Sequence, residues 1–156
     1  MKTQSFFVSK IQASIENLRI TIEDVLAYFT NTFGDMGEST YLELKVVLNE
    51  LLINAVKHGS KEDTTKFVKV VAGLIFDEFA LIVVEDEGEG YDLAEIDLKH
   101  KAVIEAREND AKEIDITDIH ESGRGVFLVK NLCEDYLVNN KGNRVVIYKK
   151  LSKTAL

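Results

Sequence analysis

The sequence predicts an α+β fold, a two-layer sandwich with helices on one face of a mixed, mainly antiparallel sheet. Three observations lead there. Two long segments near the N-terminus carry apolar residues at three- and four-residue spacing, the period of a helix with one buried face. Later segments are rich in β-branched and aromatic residues and are separated by short turn-like stretches. Helical and strand-like segments come in blocks rather than in strict alternation, which disfavours a parallel βαβ sheet.

Phe6, Phe7 and Val8 read as a short first strand. Ser14 is placed to cap a helix running to about Phe33, with Ile15, Leu18, Ile22, Val25, Leu26 and Phe29 on its apolar face. Gly34 to Gly37 supplies the turn. A second helix is expected to open at Ser39 or Thr40, with Thr40 and Glu43 as a capping box, and to run to His58 before stopping at Gly59. Lys66 to Ile75 and Phe79 to Glu85 then read as an antiparallel hairpin turning at Phe76-Asp77-Glu78. The stretch from Asp92 to Lys112 is charged and helix-prone, without a strong apolar face. Gly123 to Cys133 is a third apolar helix, and Asp135 to Asn139 pairs with Arg144 to Lys150 around Asn140-Lys141-Gly142.

Neither an internal repeat nor a low-complexity linker divides the 156 residues, so one domain over residues 1–156 is expected. A chain of this length buries about two thirds of the surface it exposes when unfolded, enough for a core without staples. The single cysteine, Cys133, rules out a disulfide within the monomer and reads as a structural thiol beside Val129 and Leu132. The N-terminus has no long apolar run after its first lysine, and charges interrupt every apolar stretch short of a membrane span, so a cytoplasmic location is expected and a membrane partner is not. A net charge of -8 argues against direct nucleic-acid binding, which needs clustered Lys and Arg.

Three segments carry chemistry. In Glu50-Leu51-Leu52-Ile53-Asn54-Ala55-Val56-Lys57-His58-Gly59, the residues Glu50, Asn54 and Lys57 stand at i, i+4 and i+7 and share one helix face. A solvated helix edge is the plain alternative, although Asn is a poor mid-helix residue because its side chain competes with the backbone. In Asp86-Glu87-Gly88-Glu89-Gly90-Tyr91-Asp92, the glycines at alternate positions let the backbone approach a ligand, and Asp86 is placed to accept from an amino group. An acidic surface turn accounts for the same residues. Ser122-Gly123-Arg124-Gly125 opens an apolar helix, whose free N–H groups and positive dipole end suit phosphate; a flexible helix start is the simpler account.

Taken together, and in this order, the three segments resemble the N box and the two glycine boxes of the GHKL (histidine-kinase-like) ATPase superfamily, which has the Bergerat-type ATP-binding fold. The resemblance covers the chain nearly end to end. Ala13-Ser14-Ile15-Glu16-Asn17-Leu18-Arg19 looks like the first helix of the anti-sigma-factor serine/threonine protein kinases, and the chain length matches that group. The resemblance implies ATP and Mg²⁺ as ligands. Asp86 matches the acceptor of the adenine amino hydrogen, and Gly88 and Gly90 match the glycines beside the base. Asn54 matches the Mg²⁺ ligand and Lys57 a phosphate-contacting lysine. Gly123 and Gly125 match the glycines whose amides hold phosphate, with Arg124 between them. Glu50 matches the proposed general base. The implied partners are a sigma factor and a STAS-type antagonist protein, engaged by a homodimer.

Two features depart from that pattern. Asn143-Arg144-Val145 follows Gly142 where related proteins commonly carry a phosphate-touching threonine, and the segment from Tyr91 to Glu121 is long, charged and proline-free where a short lid is usual. The functions in competition are a kinase that phosphorylates the antagonist, a nonenzymatic ATP-gated binding module, and a detached histidine-kinase ATPase domain. The last is disfavoured because none of His58, His100 and His120 stands on a clear two-helix hairpin. Glu50 favours the kinase, since ATP binding alone needs no base.

Overall fold

The computed structural model describes residues 5–61, 63–88 and 125–153. The elements run β1 (Phe7–Gln12), α1 (Ile15–Phe33), α2 (Gly37–Ile53), a π-helical turn (Asn54–Gly59), β2 (Phe67–Ile75), β3 (Phe79–Asp86), α3 (Gly125–Leu132), β4 (Asp135–Val138) and β5 (Arg144–Lys150). The five strands lie in the order β1-β2-β3-β5-β4 and every pairing among them is antiparallel, so the described sheet is antiparallel rather than mixed.

Period two sorts the strands into two faces. Val68, Val70, Ala72 and Leu74 of β2, Ala80, Ile82 and Val84 of β3, and Val145 and Ile147 of β5 are buried. They form the core with Leu18, Val25 and Phe29 of α1 and with Leu44, Val47, Leu48, Leu51 and Leu52 of α2. The β2–β3 hairpin closes through the Glu78 N–H, which donates to the Ile75 carbonyl at 3.1 Å, while Phe76 and Asp77 adopt φ of 54° and 55°. No helix among the described residues is long and apolar enough to cross a membrane.

Ser14 caps α1 as expected, its Oγ accepting from the Asn17 N–H at 3.2 Å, and the helix ends at Phe33. Four expectations are corrected. The first strand extends to Gln12. The second helix starts at Gly37 with no side-chain cap on Met36, because Asp35 Oδ1 accepts the Gly37 N–H at 2.9 Å and organises the turn earlier than Thr40 could. The expected Thr40–Glu43 box does not form, and Glu43 instead pairs with Lys149 at 2.8 Å. Finally, α2 stops being α-helical at Ile53 and widens into the π turn, where the Ser60 N–H donates to Ala55 C=O, five residues back, at 2.8 Å. The helix-prone stretch from Asp92 to Lys112 lies outside the described residues.

Candidate functional site

Strand β3 delivers Asp86 to the helix side of the sheet. Ala80, Ile82, Val84 and Asp86 alternate on the inner face, so the strand that builds the core ends by placing a carboxylate under the helical layer. Asp86 is 5% exposed, and its Oδ1 accepts the Gly88 N–H at 2.8 Å. Burial pushes its pKa above the ordinary carboxylate value; the Gly88 N–H and the charge of Lys141 pull the other way without cancelling it.

The π turn brings Gly59 against this carboxylate. A Cβ on Gly59 would collide with both Asp86 carboxylate oxygens, and a Cβ on Gly88 would collide with the Gly59 carbonyl. The first and second sequence segments therefore meet through bare Cα atoms. The third joins them at Gly125, the first residue of α3, where a Cβ would strike Glu50 Oε2. Three segments separated by dozens of residues thus converge at contacts that only glycine permits.

Glu50 and Asn54 are both half-buried, at the end of α2 and the start of the π turn, and Lys57 is exposed. The i, i+4, i+7 argument assumed an uninterrupted α-helix. The wider π turn takes more residues per revolution, so Lys57 no longer follows Asn54 by α-helical spacing. Gly90, Gly123 and Arg124 lie outside the described residues.

The set of groups can be tested against ATP and Mg²⁺. A buried acceptor at Asp86 and close-packed backbone at Gly59 and Gly88 suit a flat base bearing an amino group. Ser60 Oγ, next in the chain, is buried with no hydrogen-bond partner among the described residues, the kind of group a bound ligand or water completes. No cluster of three or more His, Cys, Asp or Glu side chains able to hold a metal occurs among the described residues. Asn54 offers one amide oxygen, which fits Mg²⁺ arriving with phosphates as its other ligands rather than a resident ion.

Sequence reasoning used Gly59 only as a helix stop, although its place after His58 at the end of the polar stripe was the available signal. It also missed the roles of Asn139 and Asn143. Asn143 Nδ2 donates to the Asp86 carbonyl at 2.8 Å, and Asn139 Oδ1 accepts the N–H groups of Gly142, Asn143 and Arg144, each at 3.0 Å.

Comparison with known proteins gives one consistent result. The pattern of the histidine kinase-like ATPase domain matches residues 11–149. A serine-protein kinase RsbW of Staphylococcus epidermidis is 29% identical over 139 residues, covering 87% of this chain and 80% of that protein. The protein of the same name from Oceanobacillus iheyensis is 26% identical over 153 residues, covering 96% and 89%. That of Staphylococcus aureus is 26% identical over 138 residues, covering 86% and 79%.

Proposed function

The chain belongs to the histidine kinase-like ATPase domain family, and on that footing we propose that it is an ATP-dependent serine/threonine protein kinase of the anti-sigma-factor type. In this reading residues 1–156 form one cytoplasmic nucleotide-binding domain. It phosphorylates a STAS-type antagonist, and it sequesters a sigma factor when that antagonist does not occupy it, thereby regulating transcription. Its similarity to serine-protein kinases supports the kinase assignment.

One observation carries the reading: the Glu50 carboxylate lies against Cα of Gly125, at the N-terminus of α3. A helix N-terminus favours phosphate through its free N–H groups and dipole. A carboxylate set beside that phosphate-binding helix end is placed to take a proton from a hydroxyl that approaches the phosphate. Glu50 takes the proton of the attacking Ser or Thr hydroxyl while that oxygen bonds the γ-phosphorus and ADP departs with the electron pair of the broken P–O bond. Asp86 accepts from the adenine amino group, with Gly88 and Gly90 beside the base. Lys57, Gly123, Arg124 and Gly125 hold the phosphates, and Asn54 contributes to Mg²⁺, which when bound neutralises phosphate charge. A homodimer completes the proposal.

The test is single-turnover transfer from labelled ATP to the antagonist, beside a binding titration. Glu50→Gln should keep ATP affinity close to wild type and slow transfer by about 10²–10⁴-fold, the scale of general acid–base catalysis. Wild-type transfer rates in that variant would remove Glu50 from the chemistry. A wild-type chain that binds antagonist and ATP but transfers nothing would make it a nonenzymatic ATP-gated module.

A further inference from the structure

Asn143 stands opposite Asp86, one step beyond the Glu85–Arg144 pair that ends the β3–β5 ladder. The Asp86 N–H donates to the Asn143 carbonyl at 2.9 Å. In a regular hydrogen-bonded antiparallel pair the Asn143 N–H would return the bond to the Asp86 carbonyl. It does not. The Asn143 N–H goes to Asn139 Oδ1 at 3.0 Å, and the Asn143 side-chain Nδ2 takes its place on the Asp86 carbonyl at 2.8 Å. The last rung of the ladder is made by a side chain.

That side chain has one workable orientation. Asn143 Oδ1 accepts from Asn139 Nδ2 at 2.7 Å, and Asn139 Oδ1 is committed to the N–H groups of Gly142, Asn143 and Arg144. Turning the Asn139 amide over would set its NH₂ against three N–H donors. Turning Asn143 over would set oxygen against the Asp86 carbonyl and NH₂ against the NH₂ of Asn139. Each amide fixes the other, and together they fix the main chain of Asp86 on both its donor and acceptor sides. The carboxylate is then held from the Gly88 N–H and from the bare Cα of Gly59, and Oδ2 accepts no hydrogen bond among the described residues.

We infer that Asn139 and Asn143 are positioning residues that make the site selective for a purine bearing an exocyclic amino group, by aiming the Asp86 carboxylate without touching the base. The inference rests on Asp86 as the acceptor of that amino group. Hydrogen bonds weaken steeply with misalignment, so a turn free to pivot loses the amino-group bond while contacts to the phosphates persist.

The experiment is calorimetric titration with ATP and with inosine triphosphate, whose base has a carbonyl in place of the amino group. Wild type should prefer ATP. Asn143→Ala should lower ATP affinity by about tenfold, the scale of one or two buried hydrogen bonds, and leave inosine triphosphate affinity within about twofold. Asn139→Asp keeps the acceptor for the three turn amides but removes the donor to Asn143, so it should lower the same ratio with little change in melting temperature. It decides the matter if Asn143→Ala does not fold. A preserved ratio in a folded variant, whether both affinities fall together or neither falls, overturns the positioning role. Asn143→Ala placed in an Asp86→Asn background should cost no further ATP affinity; an additive loss also overturns it. A wild type without preference for ATP would overturn the role of Asp86 and this inference together, whereas a preference abolished by Asp86→Asn but untouched by Asn143→Ala overturns the inference alone.

Discussion

At Asp86, burial and charge oppose each other. Because desolvation raises its pKa in the folded chain, the folded state binds the proton more tightly than the unfolded state does. Stability from this group is therefore greatest below the unfolded value of 3.8 and is lost as pH rises through the folded pKa. Asp86→Asn removes the buried charge. In urea melts without nucleotide, the variant should gain on wild type as pH rises from below 3.8 to neutral, and a pH-independent difference would contradict the burial argument. Gly59 answers to the same carboxylate. Gly59→Ala puts a methyl where both carboxylate oxygens lie, and overpacking of this kind costs about 1–3 kcal/mol. Its melting midpoint should fall and ATP affinity should drop with it; a neutral substitution would mean the π turn yields readily.

Among the elements, α3 depends on a cation supplied by the sheet. Lys149 is 4% exposed on the inner face of β5, donating to the Leu132 carbonyl at 2.7 Å and to Glu43 Oε2 at 2.8 Å. It ties the C-terminal end of α3 to α2, where a positive charge also complements the helix dipole. Lys149→Met preserves much of the apolar stem but leaves the Leu132 carbonyl unpaired, so a loss of about 1–3 kcal/mol is expected in chemical denaturation. Glu43→Gln should cost less, because the Glu43 side chain is 42% exposed and rehydrates. Equal costs would show that the ion pair, not the buried carbonyl bond, holds the helix. The nearby Cys133 is half-buried, and burial pushes its thiol up to about 12, in keeping with a structural rather than reactive cysteine.

At the scale of the whole molecule, the helices among the described residues cover one face of the sheet, and a continuous apolar row runs across the other. The registers align Val8 with Val71, Val71 with Val83, Val83 with Val146, and Val146 with Leu137 across all five strands. The end residues of that row, Val8 and Leu137, are 62% and 50% exposed. This is the surface the proposed homodimer would cover. Light scattering should find a dimer for wild type and a monomer for a Val8→Lys, Leu137→Lys double variant of unchanged melting temperature. A variant that stays dimeric would move the interface off this face.

The sequence by itself determined the type and order of the described α-helices and strands, and the identity of the candidate groups. Helical spacing in α1, alternation in β2, β3 and β5, and Asp86 followed by alternate glycines are local patterns, and local patterns survive in one dimension. Tertiary structure decided the rest. The Thr40–Glu43 box lost to Asp35 and to a buried lysine 106 residues farther along the chain. The π turn that sets Gly59 on Asp86, the contact of Gly125 with Glu50 and the side-chain rung at Asn143 all join segments distant in sequence. Spacing along a chain fixes which way a residue faces on its own element; which distant atom it meets is fixed only when the sheet and helices pack.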